Sequence, residues 1–235
     1  MAKGIFIVGT DTGVGKTIIP AGIAGALYRQ GLDVGVVKPV SAGLREDARF
    51  LMKSIDSEDP IGLVNPVHLR LPLAPYVAAT LLHQRVDIQR IVCAFRILSR
   101  KHFFLVVEGT GGLLVPLQKK FLVADLVKAL RLPALIVARA TLGTINHTLL
   151  TVEALRARKI PIVGIVLNGL KSKHRDLAVH TNPKILREFS RLPILGILPR
   201  LDGIDVRQCC YGSLFESVKD RMQLKKLITS GRRAH

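Results

Sequence analysis

The sequence contains no tryptophan, three tyrosines and three cysteines. With so few aromatic rings it offers little surface on which nucleic-acid bases could stack. The cysteines are odd in number, and the adjacent Cys209 and Cys210 could bridge only through a strained ring, which excludes a disulfide framework and a spaced zinc site. We therefore expect reduced cysteines that serve in packing, as is usual in the cytosol.

Long apolar runs are also missing. The strongest runs cover residues 103–107, 132–138 and 160–167, whereas a membrane span needs roughly 18 apolar residues. The start of the chain has too short an apolar segment for a secretory signal. These features predict a cytoplasmic protein that does not enter a membrane.

Negative charge is scarce, since 17 Asp and Glu face 35 Lys and Arg, which gives a net charge of +18. Such a balance favours association with polyanions and also attracts small anions. The basic residues are dispersed along the chain instead of forming a tail. We therefore expect a solvated basic surface, and nucleic acid is not the expected partner.

Short runs rich in Val, Ile and Leu alternate with longer helical patterns. The runs carry apolar residues at consecutive positions, which is typical of strands covered on both faces, and right-handed crossovers would place helices on both sides of the sheet. The sequence therefore predicts an α/β fold of three layers, with a mostly parallel central sheet, as one domain over residues 1–235. The predicted strands are residues 4–9, 34–38, 104–108, 134–138, 161–167 and 194–198. The predicted helices are residues 16–30, 48–53, 88–99, 121–130, 145–158, 183–191 and 213–228.

Three features stand outside this alternation. Residues 54–75 contain four prolines and mixed charge, and we expect a long loop or insertion there. Residues 230–235 are expected to fray. Pro20 lies early in a predicted helix, where it is tolerated only within the first turn or with a local kink.

The strongest motif follows the first predicted strand and opens the first predicted helix. It reads GTDTGVGKT over residues 9–17. A phosphate chain needs backbone N–H groups from a tight turn, the positive end of a helix, a lysine and a hydroxyl for magnesium, and Lys16 and Thr17 supply the last two. Because the first glycine is Gly9, one position earlier than in the standard spacing, the motif predicts a variant P-loop.

Two charged residues each end a predicted buried strand. Glu108 precedes GTGG, and Lys38 precedes PVSAG. In this architecture ligands bind at the carboxyl edge of the sheet, so both side chains should reach that edge. A carboxylate on a buried strand is costly unless a cation accompanies it, which favours magnesium or a lysine beside Glu108.

Together these segments resemble the dethiobiotin synthetase family, ATP-dependent ring-closing enzymes of biotin biosynthesis. The resemblance covers about residues 4–200 and rests on residues 9–17, KPV at 38–40, VEGTGG at 107–112 with PL at 116–117, and LGTINHTLLT at 142–151. The P-loop is shared with many ATPases, so it says little about the family. Its combination with KPV and with residues 142–151 is much more specific for this family.

The resemblance implies a reaction of 7,8-diaminopelargonate with carbon dioxide, ATP and Mg²⁺, in which a carbamate forms, is phosphorylated and closes a ureido ring. It implies that Lys16 and Lys38 are catalytic and contact the carbamate and the γ-phosphate, and that Thr12 positions the substrate. The magnesium ligands that it implies are Thr17, Asp47 and Glu108. For Asp47, the alternative is a carboxylate that only stabilises a helix N-terminus.

The resemblance implies further contacts to substrate and nucleotide. Where the family usually has a hydroxyl, two positions after Val40, this chain has Ala42, so Ser41 is the expected substrate contact. Asn168 matches the asparagine that reads the adenine edge, although ordinary turn chemistry is an alternative. The residues implied to contact the nucleotide are Gly13, Val14, Gly15, Lys16, Thr17, Ile18, Asp47, Glu108, Gly109, Thr110, Gly111, Asn168, Gly169, Pro199, Arg200 and Leu201.

Residues 142–151 predict a helix N-terminus with Thr144 as the cap. Free N–H groups at such an end would suit a carboxylate. The family presents this segment to the substrate tail across a dimer interface, so the resemblance implies a homodimer. His147 is expected to serve in packing or capping.

Two other functions stay open at this point. Partition-type ATPases of the ParA and MinD kind share the superfamily and bind DNA, which the net charge would suit, but they typically carry an additional lysine near the start of the loop. Here residues 9–13 contain Asp11 and no lysine. An amidotransferase-type synthetase, such as cobyrinic acid diamide synthase, would need a glutaminase domain or a cysteine nucleophile. The sequence shows no additional glutaminase domain, and the residues around Cys93 and Cys209 do not resemble the surroundings of a nucleophile.

Overall fold

A computed structural model describes residues 3–170 and 177–231 of the chain. Its strands, in chain order, are β1 (Gly4–Gly9), β2 (Val34–Val37), β3 (Val40–Ala42), β4 (Val67–Leu69), β5 (Phe104–Gly112), β6 (Pro116–Gln118), β7 (Phe121–Leu122), β8 (Ala134–Arg139), β9 (Ile162–Leu170), β10 (Ile194–Pro199), β11 (Ile204–Asp205) and β12 (Cys210–Tyr211). Within these ranges the central sheet has six strands in the spatial order β10-β9-β8-β1-β5-β2, and every neighbouring pair is parallel. Short pairs form between β3 and β4, β6 and β7, and β11 and β12.

Helices connect the strands of the sheet. They are α1 (Ile18–Tyr28), α2 (Glu46–Ser54), α3 (Ile61–Val64), α4 (Pro75–Leu81), α5 (Ile88–Lys101), α6 (Val123–Leu130), α7 (Thr144–Ala157), α8 (Leu177–Ser190), α9 (Leu214–Arg221) and α10 (Leu224–Ser230). In the described ranges, no helix is both long and apolar enough to cross a membrane.

The sheet is buried on both faces, which explains the consecutive apolar residues of its strands. Along β1, Phe6 and Val8 belong to one buried cluster, while Ile5 and Ile7 belong to the other, because alternate side chains point to opposite faces. The first cluster includes residues of α5, α6 and α7, and the second includes residues of α1, α2, α9 and α10. The predicted three-layer α/β fold is confirmed.

Residues 54–75 were expected to form a long loop or an insertion, and of these the long loop is wrong. This segment contains α3 and β4, and β4 pairs in parallel with β3. Val64, Val67 and Leu69 are buried, but each element has only three or four residues, too few for a periodic pattern to emerge from the sequence.

Other element boundaries differ from the sequence-based expectation. The predicted helix at 213–228 is two helices, interrupted where Met222 forms a bridge to Gly196. The helix predicted from Pro183 begins earlier and keeps this proline inside α8. Pro20 falls in the first turn of α1, where proline is tolerated.

The chain end and the N-terminus of α7 also differ from expectation. Ser230 is the last residue of α10 and Gly231 is buried, whereas residues 232–235 of the predicted frayed end lie outside the described residues. Thr144 is the first residue of α7 rather than its cap. Gly143 takes the cap position with φ of 87°, a conformation that glycine adopts without strain.

Close packing between α1 and α9 generates a testable prediction. A Cβ at Gly25 would lie 2.1 Å from the Phe215 ring, and that ring is held between Arg29, 3.7 Å from its centroid, and Tyr211. We expect Gly25→Ala to lower the free energy of unfolding by about 1–3 kcal/mol, because the ring has little room to move. Urea denaturation measures this difference. Gly62→Ala is the control, since nothing lies within 4 Å of its added methyl, and equal destabilisation by both changes would contradict the packing argument.

Candidate functional site

A cavity of about 770 Å³ opens at the carboxyl edge of the central sheet. The P-loop follows β1, Lys38 follows β2 and Glu108 lies in β5. Because β1 and β2 both pair with β5, these three points are brought side by side. The predicted site residues that line the cavity are Thr12, Gly13, Gly15, Lys16, Thr17, Ile18, Lys38, Asp47, Glu108, Thr110 and Gly111.

Glycine positions shape the P-loop. Gly13 and Gly15 have φ of 65° and 100°, which side chains rarely adopt, and a Cβ at Gly15 would lie 2.0 Å from the Asn168 amide. A Cβ at Gly9 would lie 2.6 Å from the end of the Lys16 side chain. The glycine at the early position thus makes room for Lys16 to fold back along the loop.

Lys16 is buried in the P-loop. Its ammonium donates to the carbonyl oxygen of Asp11. Burial lowers the pKa of Lys16 to about 8, and the nearby charge of Lys38 acts in the same direction, while Glu108 opposes it. Lys16 therefore loses its proton more readily than a lysine with an ordinary pKa.

The ammonium of Lys38 lies between two carboxylates. Its Nζ is 2.5 Å from Oε1 of Glu108 and 2.8 Å from Oδ2 of Asp47. Thr17 joins the cluster, because its hydroxyl donates to the same Glu108 oxygen at 3.0 Å. Asp47 lies in the first turn of α2, where a carboxylate stabilises the helix N-terminus in addition to forming the ion pair. The four residues predicted from separate segments form one network.

Burial dominates the protonation of this network. Glu108 is 1% exposed, and burial raises its pKa to about 7 even though Lys38 and Thr17 stabilise its charge. Burial also acts against the charge of Lys38, but Glu108 and Asp47 together raise the pKa of Lys38 above its ordinary value. Lys38 therefore keeps its proton while Glu108 titrates near neutrality.

The chemistry of this network suits a hard divalent cation. It offers two carboxylates and a hydroxyl, and a cationic group already lies between the carboxylates. Oε2 of Glu108 is buried and has no hydrogen-bond partner among the described residues. Magnesium in nucleotide sites typically takes one or two protein carboxylates, with water and phosphate oxygens completing its shell. The donor set thus fits Mg²⁺.

Several predicted nucleotide contacts lie outside the cavity lining. Asn168 is part of β9, not a turn, and its amide donates to the carbonyl oxygen of Val14 at 3.0 Å. Gly109 is buried beneath the site, where a Cβ would lie 2.9 Å from the Ile7 carbonyl oxygen. The remaining predicted nucleotide contacts beyond the lining are Val14, Gly169, Pro199, Arg200 and Leu201.

Ser41 does not reach the cavity. Ala42 lines it instead, since successive residues of β3 point in opposite directions. Ser41 is buried, and its hydroxyl has no hydrogen-bond partner among the described residues. The expected substitution of the family's hydroxyl by Ser41 gains no support from this geometry.

Sequence reasoning missed Arg139, which ends β8. Its guanidinium donates to the Thr12 carbonyl oxygen at 2.8 Å and lies 3.8 Å from the Asp11 carboxylate. The signal that identified Lys38, a charged residue at the end of a buried strand, applies equally to Arg139. Sequence reasoning also missed Val206, which follows β11 and lines the cavity.

Comparison with known proteins agrees with this geometry. The chain has the fold of the cell division ATPase MinD from Pyrococcus furiosus, with a TM-score of 0.61 at 18% identity, over 99% of this chain and 98% of that one. A family model described as an AAA domain matches residues 3–208, so the chain belongs to that family. The fold and the site define a P-loop nucleotide-binding protein.

Comparison with curated relatives identifies the family within the P-loop nucleotide-binding proteins. The chain is 43% identical over 220 residues to the ATP-dependent dethiobiotin synthetase BioD of Thermodesulfovibrio yellowstonii, covering 87% of this chain and 92% of that protein. It is 40% identical over 232 residues to the protein of the same name from Bacillus licheniformis, covering 96% of both. The chain belongs to the dethiobiotin synthetase family.

The lowered pKa of Lys16 is testable in the ligand-free protein. Acetylation by acetic anhydride requires the neutral amine, so the reactivity of Lys16 should rise with a midpoint near pH 8. Mass spectrometry of competitively labelled protein measures this midpoint, with exposed Lys225 as the internal reference for the reagent. A midpoint near the ordinary value of 10.5 would contradict the effect of burial.

Proposed function

We propose that this protein is an ATP-dependent dethiobiotin synthetase. The observation that carries the proposal is the network of Thr17, Lys38, Asp47 and Glu108 beside the P-loop lysine, in a chain of this family. An amine of 7,8-diaminopelargonate adds to carbon dioxide and loses a proton, which gives a carbamate. A carbamate oxygen attacks the γ-phosphorus of ATP and releases ADP. The second amine then attacks the carbamoyl carbon, closes the ureido ring and releases phosphate.

The two lysines neutralise the charge that these steps bring together. A carbamate and a triphosphate are both anionic, and their approach is unfavourable unless cations lie between them. Lys16 is positioned by the P-loop and Lys38 by the end of β2, so their ammonium groups enter one cavity from two strands. Thr12, also on the cavity wall, would orient the diamine.

Mg²⁺ would be held by Thr17, Asp47 and Glu108 together with phosphate oxygens. When bound, it supplies positive charge to the phosphates. The ammonium of Lys38 contacts the same two carboxylates, so metal and lysine compete for them. The pKa of Lys16, which burial lowers, would rise again beside phosphate, because an anion stabilises the ammonium.

The nucleotide would follow the P-loop along residues 13–18 and the loop at residues 109–111. Its base would reach Asn168 and Gly169 together with residues 199–201. The Asn168 amide donates one N–H to the carbonyl oxygen of Val14, and a side-chain amide has a second N–H and an acceptor oxygen with which an adenine edge could be read.

The protein would act as a homodimer, in one synthetase domain, in the cytoplasm. Leu142, two residues before α7, is 87% exposed, and Leu150, within α7, is 57% exposed. Two exposed leucines on the segment that the family presents across its dimer interface support a second copy at this face.

The partition ATPase stays an alternative because of the basic surface and the shared fold. The likeness to MinD at 18% identity supports the fold alone. The P-loop residues 9–13 lack the additional lysine of that class. Nothing in the site favours an amidotransferase-type synthetase, since Cys93 and Cys210 are exposed and neither lines the cavity.

The proposed reaction can be tested directly. We expect purified protein with Mg²⁺, ATP, bicarbonate and 7,8-diaminopelargonate to form dethiobiotin, detected by mass spectrometry. Lys38→Met should lower this activity by about 100-fold or more, since a charge aligned with the transferring group is lost. Lys225→Ala, which removes one positive charge from an exposed position of α10, is the charge-matched control. A Lys38→Met variant as active as Lys225→Ala would remove Lys38 from the mechanism.

The homodimer generates a separate prediction. The double variant Leu142→Asp, Leu150→Asp should be a monomer by light scattering and should lose dethiobiotin formation while it still binds ADP, because its P-loop is intact. Ile97→Asp, a change at another half-exposed apolar residue, on α5, should stay dimeric. A wild-type monomer with full activity would argue against a shared site.

A further inference from the structure

A buried asparagine outside the cavity holds the main chain at Lys38. The side-chain amide of Asn65 donates to the carbonyl oxygen of Lys38 at 2.7 Å and to that of Val67 at 3.2 Å. Asn65 follows α3 and has no exposed surface. Its amide therefore joins the end of β2 to the start of β4 beneath the site.

The other hydrogen bonds to the main chain around Lys38 come mainly from main-chain groups. The N–H of Lys38 donates to the carbonyl oxygen of Val64 at 2.8 Å, and the N–H of Val67 donates to that of Pro39 at 3.3 Å. The Thr110 hydroxyl donates to the Val40 carbonyl oxygen at 2.6 Å. Among these contacts to the main chain, the one from the Asn65 amide to the Lys38 carbonyl oxygen comes from a side chain. Substitution of Asn65 can therefore remove this contact selectively.

The other half of the Asn65 amide is left unsatisfied. Its Oδ1 is buried and has no hydrogen-bond partner among the described residues. Buried polar atoms are nearly always partnered, so this oxygen carries an energetic cost. The same side chain supplies N–H groups to two main-chain carbonyl oxygens, and one of these contacts fixes the carbonyl of Lys38.

We propose that Asn65 is a positioning residue of the synthetase reaction, which fixes the main chain of Lys38 so that the ammonium is presented correctly to the transferring phosphoryl group. The inference rests on the role of Lys38 in the proposed function. The carboxylates of Asp47 and Glu108 hold the ammonium end of Lys38, and Asn65 fixes the main-chain end from which this long side chain extends. Misplacement of a catalytic group by about 1 Å can cost about 100-fold in rate.

The first test is Asn65→Ala in the full chain. We expect kcat for dethiobiotin formation to fall by about ten- to a hundredfold, with the KM for ATP and the affinity for ADP unchanged, because the P-loop is not touched. Ser190→Ala is the matched control. Ser190 is also fully buried, and its hydroxyl bonds to main-chain groups of Leu186 and Leu192 at the end of α8, so this change should affect thermal stability and leave kcat unchanged.

The second test, Asn65→Asp, keeps the shape and separates donation from packing. A buried carboxyl group facing two carbonyl oxygens has a raised pKa and can donate to Lys38 only while protonated. The ratio of kcat in this variant to kcat in the wild type should therefore fall as pH rises, whereas the same ratio for Asn65→Ala should not depend on pH in this way. The pH dependence of the Asn65→Asp ratio is measured against the wild type, so it decides the matter even if the alanine variant does not fold.

The outcomes separate this inference from the proposed function. An active wild type with unchanged kcat in Asn65→Ala, or with a pH-independent ratio in Asn65→Asp, would overturn the role of Asn65 alone. A wild type that forms no dethiobiotin in the same assay would overturn both proposals.

Discussion

The site depends on one electrostatic contact, the ammonium of Lys38 held between the carboxylates of Asp47 and Glu108. A carboxylate as buried as that of Glu108 is unfavourable unless a cation accompanies it. The contact joins β5 to the end of β2 and to the first turn of α2, although Lys38 and Glu108 are 70 positions apart in the chain. Removing Lys38 leaves the buried carboxyl group of Glu108 without its cation, so this contact stabilises the arrangement of the segments that form the cavity.

The parallel sheet explains why this charge collects where it does. Both faces of the sheet are covered by apolar clusters, so polar groups on the strands are stable only where the strands end. The carboxyl ends of β1, β2 and β5 adjoin one another because their strands pair. Three segments distant in the chain thus present a P-loop, a lysine and a carboxylate to one cavity.

Much of this arrangement was predictable from local pattern. Consecutive apolar residues predicted the six central strands, and the spacing of Lys16 and Thr17 after β1 predicted the phosphate loop. Residues 54–75 were misjudged because α3 and β4 are too short to carry a period. Ser41 was expected to replace the hydroxyl that the family usually has at the position of Ala42, and one position along a strand is enough to turn a side chain away from the cavity.

Arg139 and Asn65 illustrate a different limit. Arg139 contacts the P-loop through its guanidinium, which depends on β8 lying next to β1. Asn65 sits in a segment without a recognisable motif, and its importance for Lys38 is visible only from the position of its amide. Such contacts depend on the order of strands and on loop paths, which local sequence does not encode.

The sequence by itself determined the fold class, the phosphate loop and the kinds of groups available for the chemistry, because periodicity and short motifs act over a few residues. The tertiary structure decided which of these groups meet, which side chains face the cavity, and how burial shifts the pKa values of Lys16 and Glu108. The physical reason is that electrostatic and hydrogen-bond energies depend on distance and solvent exposure, and both are set only when remote segments pack together.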